Sequence, residues 1–252
     1  MPRVFITGDT HHKEEYHKVE RLCDIAGTTK DDILIVCGDH GVLYHGPSKD
    51  RIMKRYLESL PITFVLVHGN HCQRPSKKLC KEVTVVGSAL SGEFLIEPDY
   101  PSLWYPKMYG QYSIFGKPAY IMGGAYSVDK YFRLDMQALG HKNWRWFADE
   151  QLSEREQKKA YAEMKAAQTE FEYIITHTCP LRYVPYDKLV PGYDQSKVDK
   201  TMENFFGDVE ETIPYKLWIC GHYHVDRVTT DRKVRFMYND VIELRNTEGA
   251  EQ

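Results

Sequence analysis

The chain has 252 residues and a formal net charge of −3. That is long enough for one domain burying roughly 70–75% of its unfolded surface, and it lacks the basic excess expected of a general nucleic-acid or membrane surface. Hydrophobic residues make up 42% and charged residues 27%, ordinary values for a soluble globular protein. No apolar run approaches the ~20 residues that span a bilayer, and the N-terminus enters a strand without a basic-then-apolar leader. The six cysteines form no Cys-x-x-Cys pair, and several lie inside apolar runs, a pattern that reads as reduced, buried thiols. The expectation is a single cytoplasmic domain over residues 1–252 with no membrane partner.

In chain order, residues 4–7 read as a short buried strand that Gly8 breaks, with Asp9 and His11 directly after. In extended backbone, residues i and i+2 project to one side. One hard oxygen and one imidazole nitrogen can therefore reach a single divalent ion. Residues 13–26 carry Tyr16, Val19, Leu22 and Ile25 at near-helical spacing, a surface helix. A second apolar strand, 33–37, ends in Gly38 and Asp39. Residues 41–49 form a loop, and a helix over 50–59 stops at Pro61. The third strand, from residue 63, ends in Gly69, Asn70 and His71, and Arg74-Pro75 extends its turn.

Residues 83–96 read as two short strands around Gly87, and 97–110 as an aromatic, proline-rich segment. Residues 111–123 suggest a hairpin turning at Gly116-Lys117-Pro118. Residues 125–133 then form a polar, basic loop, a position where substrate contacts are often found. Trp144, Trp146 and Phe147 read as core. Ser153 followed by Glu156 has the capping-box spacing that opens a helix over 153–170. A fourth strand ends in His177, and 181–196 is a loop. Residues 197–210 are an amphipathic helix, and a fifth strand ends in His222 and His224. Residues 226–238 alternate as a hairpin around Asp231-Arg232-Lys233, and the last dozen residues read as a polar tail.

Five polar elements thus sit where buried strands run out, the edge at which open α/β sheets bind ligands. Their order (Asp-x-His, Gly-Asp, Gly-Asn-His, a lone His, Gly-His-x-His) over residues 4–224 resembles the calcineurin-like metallophosphoesterases. The stretch GGAYSVDK, 123–130, resembles a bacterial and phage branch of that family. The resemblance implies an α/β fold, a four-layer αββα sandwich of mixed β-sheets flanked by helices, with the metal site at the C-terminal ends of strands. It also implies two divalent ions: Asp9, His11 and His224 on one, Asn70, His177 and His222 on the other, and Asp39 shared. His71 would be the general acid or leaving-group stabiliser, and Mn²⁺ the expected metal, with Fe, Zn²⁺ or Ni²⁺ admitted by the same ligands.

The implied activity is hydrolysis of phosphate mono- or diesters by a metal-bridging hydroxide, on a small or nucleotide-like substrate. A nuclease of the same fold and a catalytically silent metal-binding interaction module are the alternatives. Candidate substrate contacts are His12, His40, Arg74, Lys130 and Arg133. Lys130 and Arg133 read equally as phosphate contacts and as solvated charges. His17, His45 and His141 read as solvated, and His68 as a packed hydrogen-bonding group beside the site. Cys72 stands where many relatives carry an acidic residue. No Asp-Arg-Gly follows the second motif, which disfavours the protein Ser/Thr phosphatase branch.

Overall fold

Short apolar runs build the strands, and their side chains separate into two cores with the two-residue period of extended chain. The computed structural model describes residues 1–87, 89–141, 143–189 and 194–245. In chain order these form β1 (Val4–Thr7), α1 (His17–Ala26), β2 (Ile33–Val36), α2 (Pro47–Ser59), β3 (Thr63–Leu66), β4 (Lys81–Val85), β5 (Leu90–Ile96), β6 (Leu103–Pro106), β7 (Tyr109–Ile114) and β8 (Lys117–Met122). There follow α3 (Lys130–Ala138), α4 (Glu154–Ala167), β9 (Phe171–Thr176), α5 (Thr201–Thr212), β10 (Tyr215–Cys220), β11 (Arg227–Val228), β12 (Val234–Phe236) and β13 (Ile242–Leu244).

The strands form one hydrogen-bonded path, β11-β12-β10-β9-β8-β7-β5-β6-β3-β2-β1-β13, with β4 paired to β5. The path folds over at β5, whose first residues pair with β7 and whose last pair with β6. One half holds parallel β1, β2, β3 and β6; the other holds parallel β8, β9, β10 and β12. Val4, Ile6, Ile35 and Val65 from the first half meet Ile114, Ile121, Ile175 and Ile219 from the second in a central core. The alternate residues Phe5, Leu34, Val36, Phe64 and Leu66 face outward, packing with Val19, Cys23 and Leu57 of α1 and α2. On the far side, Tyr120, Ile174 and Trp218 pack with Ala160 and Met164 of α4 and Phe206 and Val209 of α5. The result is the four-layer αββα arrangement; β1, β2 and β3 are buried on both faces, which is why they read as continuous apolar runs, whereas β4 is largely exposed.

Several local expectations are corrected. Ile25 is 74% exposed, so the buried stripe of α1 is Val19 and Cys23 rather than the full apolar set. The hairpin turns at Phe115-Gly116, with positive φ at both, and Lys117 and Pro118 belong to β8. The loop after Gly124 runs only to Asp129, where α3 begins. The final residues are not all tail: Ile242 and Leu244 add β13 antiparallel to β1. The capping box at Ser153 forms as expected, with Glu156 returning the bond. The six cysteines are buried free thiols. No helix among the described residues is long and apolar enough to cross a membrane.

Candidate metal centre

The C-terminal ends of β1, β2, β3, β9 and β10 open on one rim, and the loops leaving them carry the polar motifs. Two glycines let these loops converge. At Gly38, where φ is +93°, a Cβ would lie 2.0 Å from His177 Nδ1; at Gly69 it would lie 2.1 Å from Asp39 Oδ1. Any side chain at either would displace a site residue, and at Gly38 the positive φ disfavours one further. Asp39, His222 and His224 themselves occupy the left-handed region, at φ 47°, 70° and 51°. Such conformations cost about 1–3 kcal/mol each and gather at functional sites.

His11 Nε2 stands 3.0 Å from His224 Nε2, and Asp9 Oδ1 lies 4.0 Å from the first and 3.7 Å from the second. Asp39 Oδ2 lies 3.9 Å from His11 Nε2 and 3.3 Å from His177 Nε2, so this carboxylate stands between two groups of donors. Asn70 Oδ1 is 2.9 Å from His177 Nε2, and the His222 ring packs against that of His177 with centroids 4.9 Å apart. Three sets of ligand atoms fall within 4.8 Å of one another: Asp9, His11 and His224; His11, Asp39 and His71; Asp9, Asp39 and His177.

Surrounding bonds orient these groups. His177 Nδ1 donates to the Cys37 carbonyl at 2.7 Å, which turns Nε2 toward Asp39 and the rim. Asp9 Oδ2 accepts from the His222 backbone N–H at 2.8 Å, and Asp39 Oδ1 from that of His71 at 2.7 Å. The Asn70 amide donates to Ser127, which is bound to buried Glu150, and so turns its carbonyl oxygen toward the rim. Lys18 donates to the carbonyls of Gly8, Asp9 and Tyr238 beneath the first group. The Tyr238 ring stacks on His224 at 4.6 Å.

This donor set fits divalent cations. Asp9 is wholly buried and its Oδ1 has no hydrogen-bond partner. Burial pushes its carboxyl up to about 7, the behaviour of a carboxylate set in place for a positive charge. Burial also raises Asp39, but the His177, His71 and His11 imidazoles outweigh it and hold Asp39 well below the usual carboxylate range. For His177 burial acts downward, and the Asp39 carboxylate overrides it, lifting the imidazole to about 9. Burial lowers His11, His222 and His224, keeping them neutral with a free lone pair. Mixed carboxylate, amide and imidazole donors suit Mn²⁺, Fe, Zn²⁺ or Ni²⁺.

The remaining expected contacts divide. Arg133, on α3, is 1% exposed and bonded to His71, with Asp129 as its ion-pair partner at 2.8 Å. His12 is exposed at the rim, its ring 6.3 Å from that of His11. His40 is not brought to the rim: it is 1% exposed and packs toward Tyr105 behind β2. Arg74 is held away by Glu156 and by the carbonyls of Asp149 and Gln151. Lys130 lies over the Trp146 ring at 4.4 Å rather than over the donors. His68 is buried with Nδ1 3.3 Å from Cys72 Sγ, so Cys72 serves the turn and not the rim. Trp144 is 41% exposed, whereas Phe147 is core.

Sequence reasoning missed Tyr44 and His45, whose rings pack edge to face beside His71. Nothing in the loop over 41–49 marks them. Val128, Val184, Leu189, Val198 and Val225 line a cavity of about 460 Å³ beside His71, and they too escaped notice.

An α/β sandwich with carboxylates and imidazoles converging at strand ends is the architecture of a metal-dependent hydrolase, and the family match makes it a phosphoester hydrolase. The chain belongs to the calcineurin-like phosphoesterase family, whose model matches residues 2–226; that family works with two metal ions. No curated protein matches the sequence. Among solved structures, the phosphopantetheinyl hydrolase of Mycobacterium tuberculosis is similar at 16% identity and a TM-score of 0.42, covering 94% of this chain and 88% of that one. A protein of unknown function from Aquifex aeolicus is similar at 13% identity and a TM-score of 0.40, with 96% of each chain covered. Neither bears on the substrate.

Proposed function

We propose that the chain hydrolyses mono- or diesters of phosphate, on a small or nucleotide-like substrate, at two divalent cations. Asp9, His11 and His224 would hold one, Asn70, His177 and His222 the other, and Asp39 would reach both. The observation that carries this reading is Asp9 Oδ1, buried without a partner beside the neutral imidazoles of His11 and His224, while Asp39 stands between the two groups. Bound there, the cations would polarise the phosphoryl oxygens and make water acidic enough to attack at neutral pH.

The protein's own groups do the rest. Asn70 contributes an oxygen without charge, keeping the site cationic enough for an anionic ester. Its amide is held by Ser127 and Glu150, so the oxygen cannot turn away. Arg133, bonded to His71 in the cavity wall, is the candidate N–H donor to a phosphoryl oxygen. His71 borders the cavity and, although it lies within ligand distance of His11 and Asp39, we assign it to neither cation but to exchanging a proton with the leaving oxygen. Manganese is the expected metal. The test is hydrolysis of bis-p-nitrophenyl phosphate with added Mn²⁺. Turnover that disappears in Asp39→Ala along with both ions supports the reading; full activity in that variant contradicts it.

A further inference from the structure

The donor cluster is not at the blind end of a cleft. His11, His71 and His224 border two recesses at once: the valine-lined cavity of about 460 Å³, whose wall also carries Arg133, Lys188, Lys200 and the carboxyls of Asp129, Asp199 and Glu203, and a second one of about 550 Å³. The second recess is walled by rings. His12 and His45 face each other at 6.2 Å with 29° between their planes, and Tyr44 packs on His45 and His71. Trp144 closes the outer side; it meets Phe132 edge-on at 5.0 Å and is 41% exposed. His45 Nδ1 is buried there without a hydrogen-bond partner. Among the described residues, Glu15 is the only Asp, Glu, Lys or Arg lining this recess. A second phosphate or a carboxylate would find no cation there, whereas a neutral planar heterocycle would find ring faces to stack on.

We infer that the substrate is a two-armed phosphodiester, with a nucleoside arm stacked in the recess of Tyr44, His45 and Trp144 and a second organic arm in the valine-lined cavity. This rests on the phosphoesterase reading above and narrows it. A monoester would leave one recess empty, and a polynucleotide running through the ring-walled recess would find no cation there for its next phosphate. In the reaction, water adds an oxygen to phosphorus, one ester P–O bond breaks, and the departing alkoxide takes up the proton. The products are a phosphomonoester and an alcohol.

The test uses three p-nitrophenyl esters with the Mn²⁺-loaded protein: p-nitrophenyl phosphate, methyl p-nitrophenyl phosphate and thymidine 5′-(p-nitrophenyl phosphate). We expect kcat/KM to rise in that order, the thymidine ester exceeding the methyl ester by about tenfold, the usual worth of one stacked base. Trp144→Ala should erase the thymidine-to-methyl ratio. In a metal-free titration, thymidine should quench the tryptophan fluorescence of the wild-type protein but not that of Trp144→Ala. A monoester hydrolysed as fast as the methyl diester, or a ratio and quenching unchanged by Trp144→Ala, overturns the inference while leaving the phosphoesterase reading intact. Faster cleavage of a single-stranded oligonucleotide than of the thymidine ester also overturns it. Hydrolysis of none of the esters overturns both.

Discussion

Arg133 donates from Nη2 to Nε2 of His71, and its Nε holds Asp129 at 2.8 Å. A guanidinium can only donate, so His71 accepts and is neutral. Burial acts the same way, pushing His71 down to about 3. The pair thus presents a cation and a neutral imidazole side by side in the cavity wall, and His71 gives a proton to the leaving oxygen only after taking one up during the reaction. Arg133→Met should raise KM for phosphate esters and lower kcat/KM about 10–100-fold, from the loss of a charge-assisted contact. Metal content should stay at the wild-type level. Loss of metal from that variant would mean that Arg133 holds the loop of Asn70 in place rather than the substrate.

His71→Ala should keep both ions and lower kcat about 10²–10⁴-fold, the usual worth of a general acid or base. The loss should be larger for alkyl esters than for p-nitrophenyl esters, whose leaving group needs no proton. Rates for the two leaving groups, measured beside elemental analysis, check this. An equal loss for both would remove His71 from leaving-group chemistry.

Lys18 reaches from α1 to the carbonyls of Gly8, Asp9 and Tyr238, and burial lowers its ammonium to about 8. It ties the Asp9 loop to the segment that stacks on His224. Lys18→Met should weaken metal binding about 10–100-fold, as loss of an orienting partner does. A competitive metal titration reads this directly, and unchanged affinity would show that Asp9 and His224 need no such tie.

His40 and His68 are buried and held down to about 3 by desolvation, far below the ~6.5 of the unfolded chain. Their folded values are depressed, so the fold keeps them neutral. That stability is complete above about pH 6.5 and is lost as pH falls toward 3, by up to about 1.4 kcal/mol per pH unit for each. In the presence of a chelator, the melting temperature should fall steeply below pH 6.5. His40→Asn with His68→Gln should flatten the slope; an unchanged slope would put the acid lability elsewhere.

The strand ends and their polar residues were legible because a buried strand stopped by glycine leaves a plain trace in sequence. What charge conceals was not. Arg133 read equally as a solvated charge, although Asp129 four residues earlier offers the partner that allows its burial. His40 follows Asp39, and adjacency suggested that it stood near the rim; the positive φ at Asp39 directs the chain so that His40 enters the core instead. Arg74 looked free because its partners, Asp149 and Glu156, lie some 80 residues on. Strand β13 was missed because one alternation over three residues, Ile242-Glu243-Leu244, is too short to stand out until it pairs with β1. The ring-lined recess arises from five separate stretches of chain, and no spacing within one of them announces it.

The account depends most on two cations sharing Asp39. Crystals grown with Mn²⁺ and measured at a wavelength giving strong manganese anomalous scattering test this directly. Two anomalous peaks about 3.5–4 Å apart are predicted, one against Asp9, His11 and His224, the other against Asn70, His177 and His222, with Asp39 touching both. A single peak, or peaks away from Asp39, would contradict it.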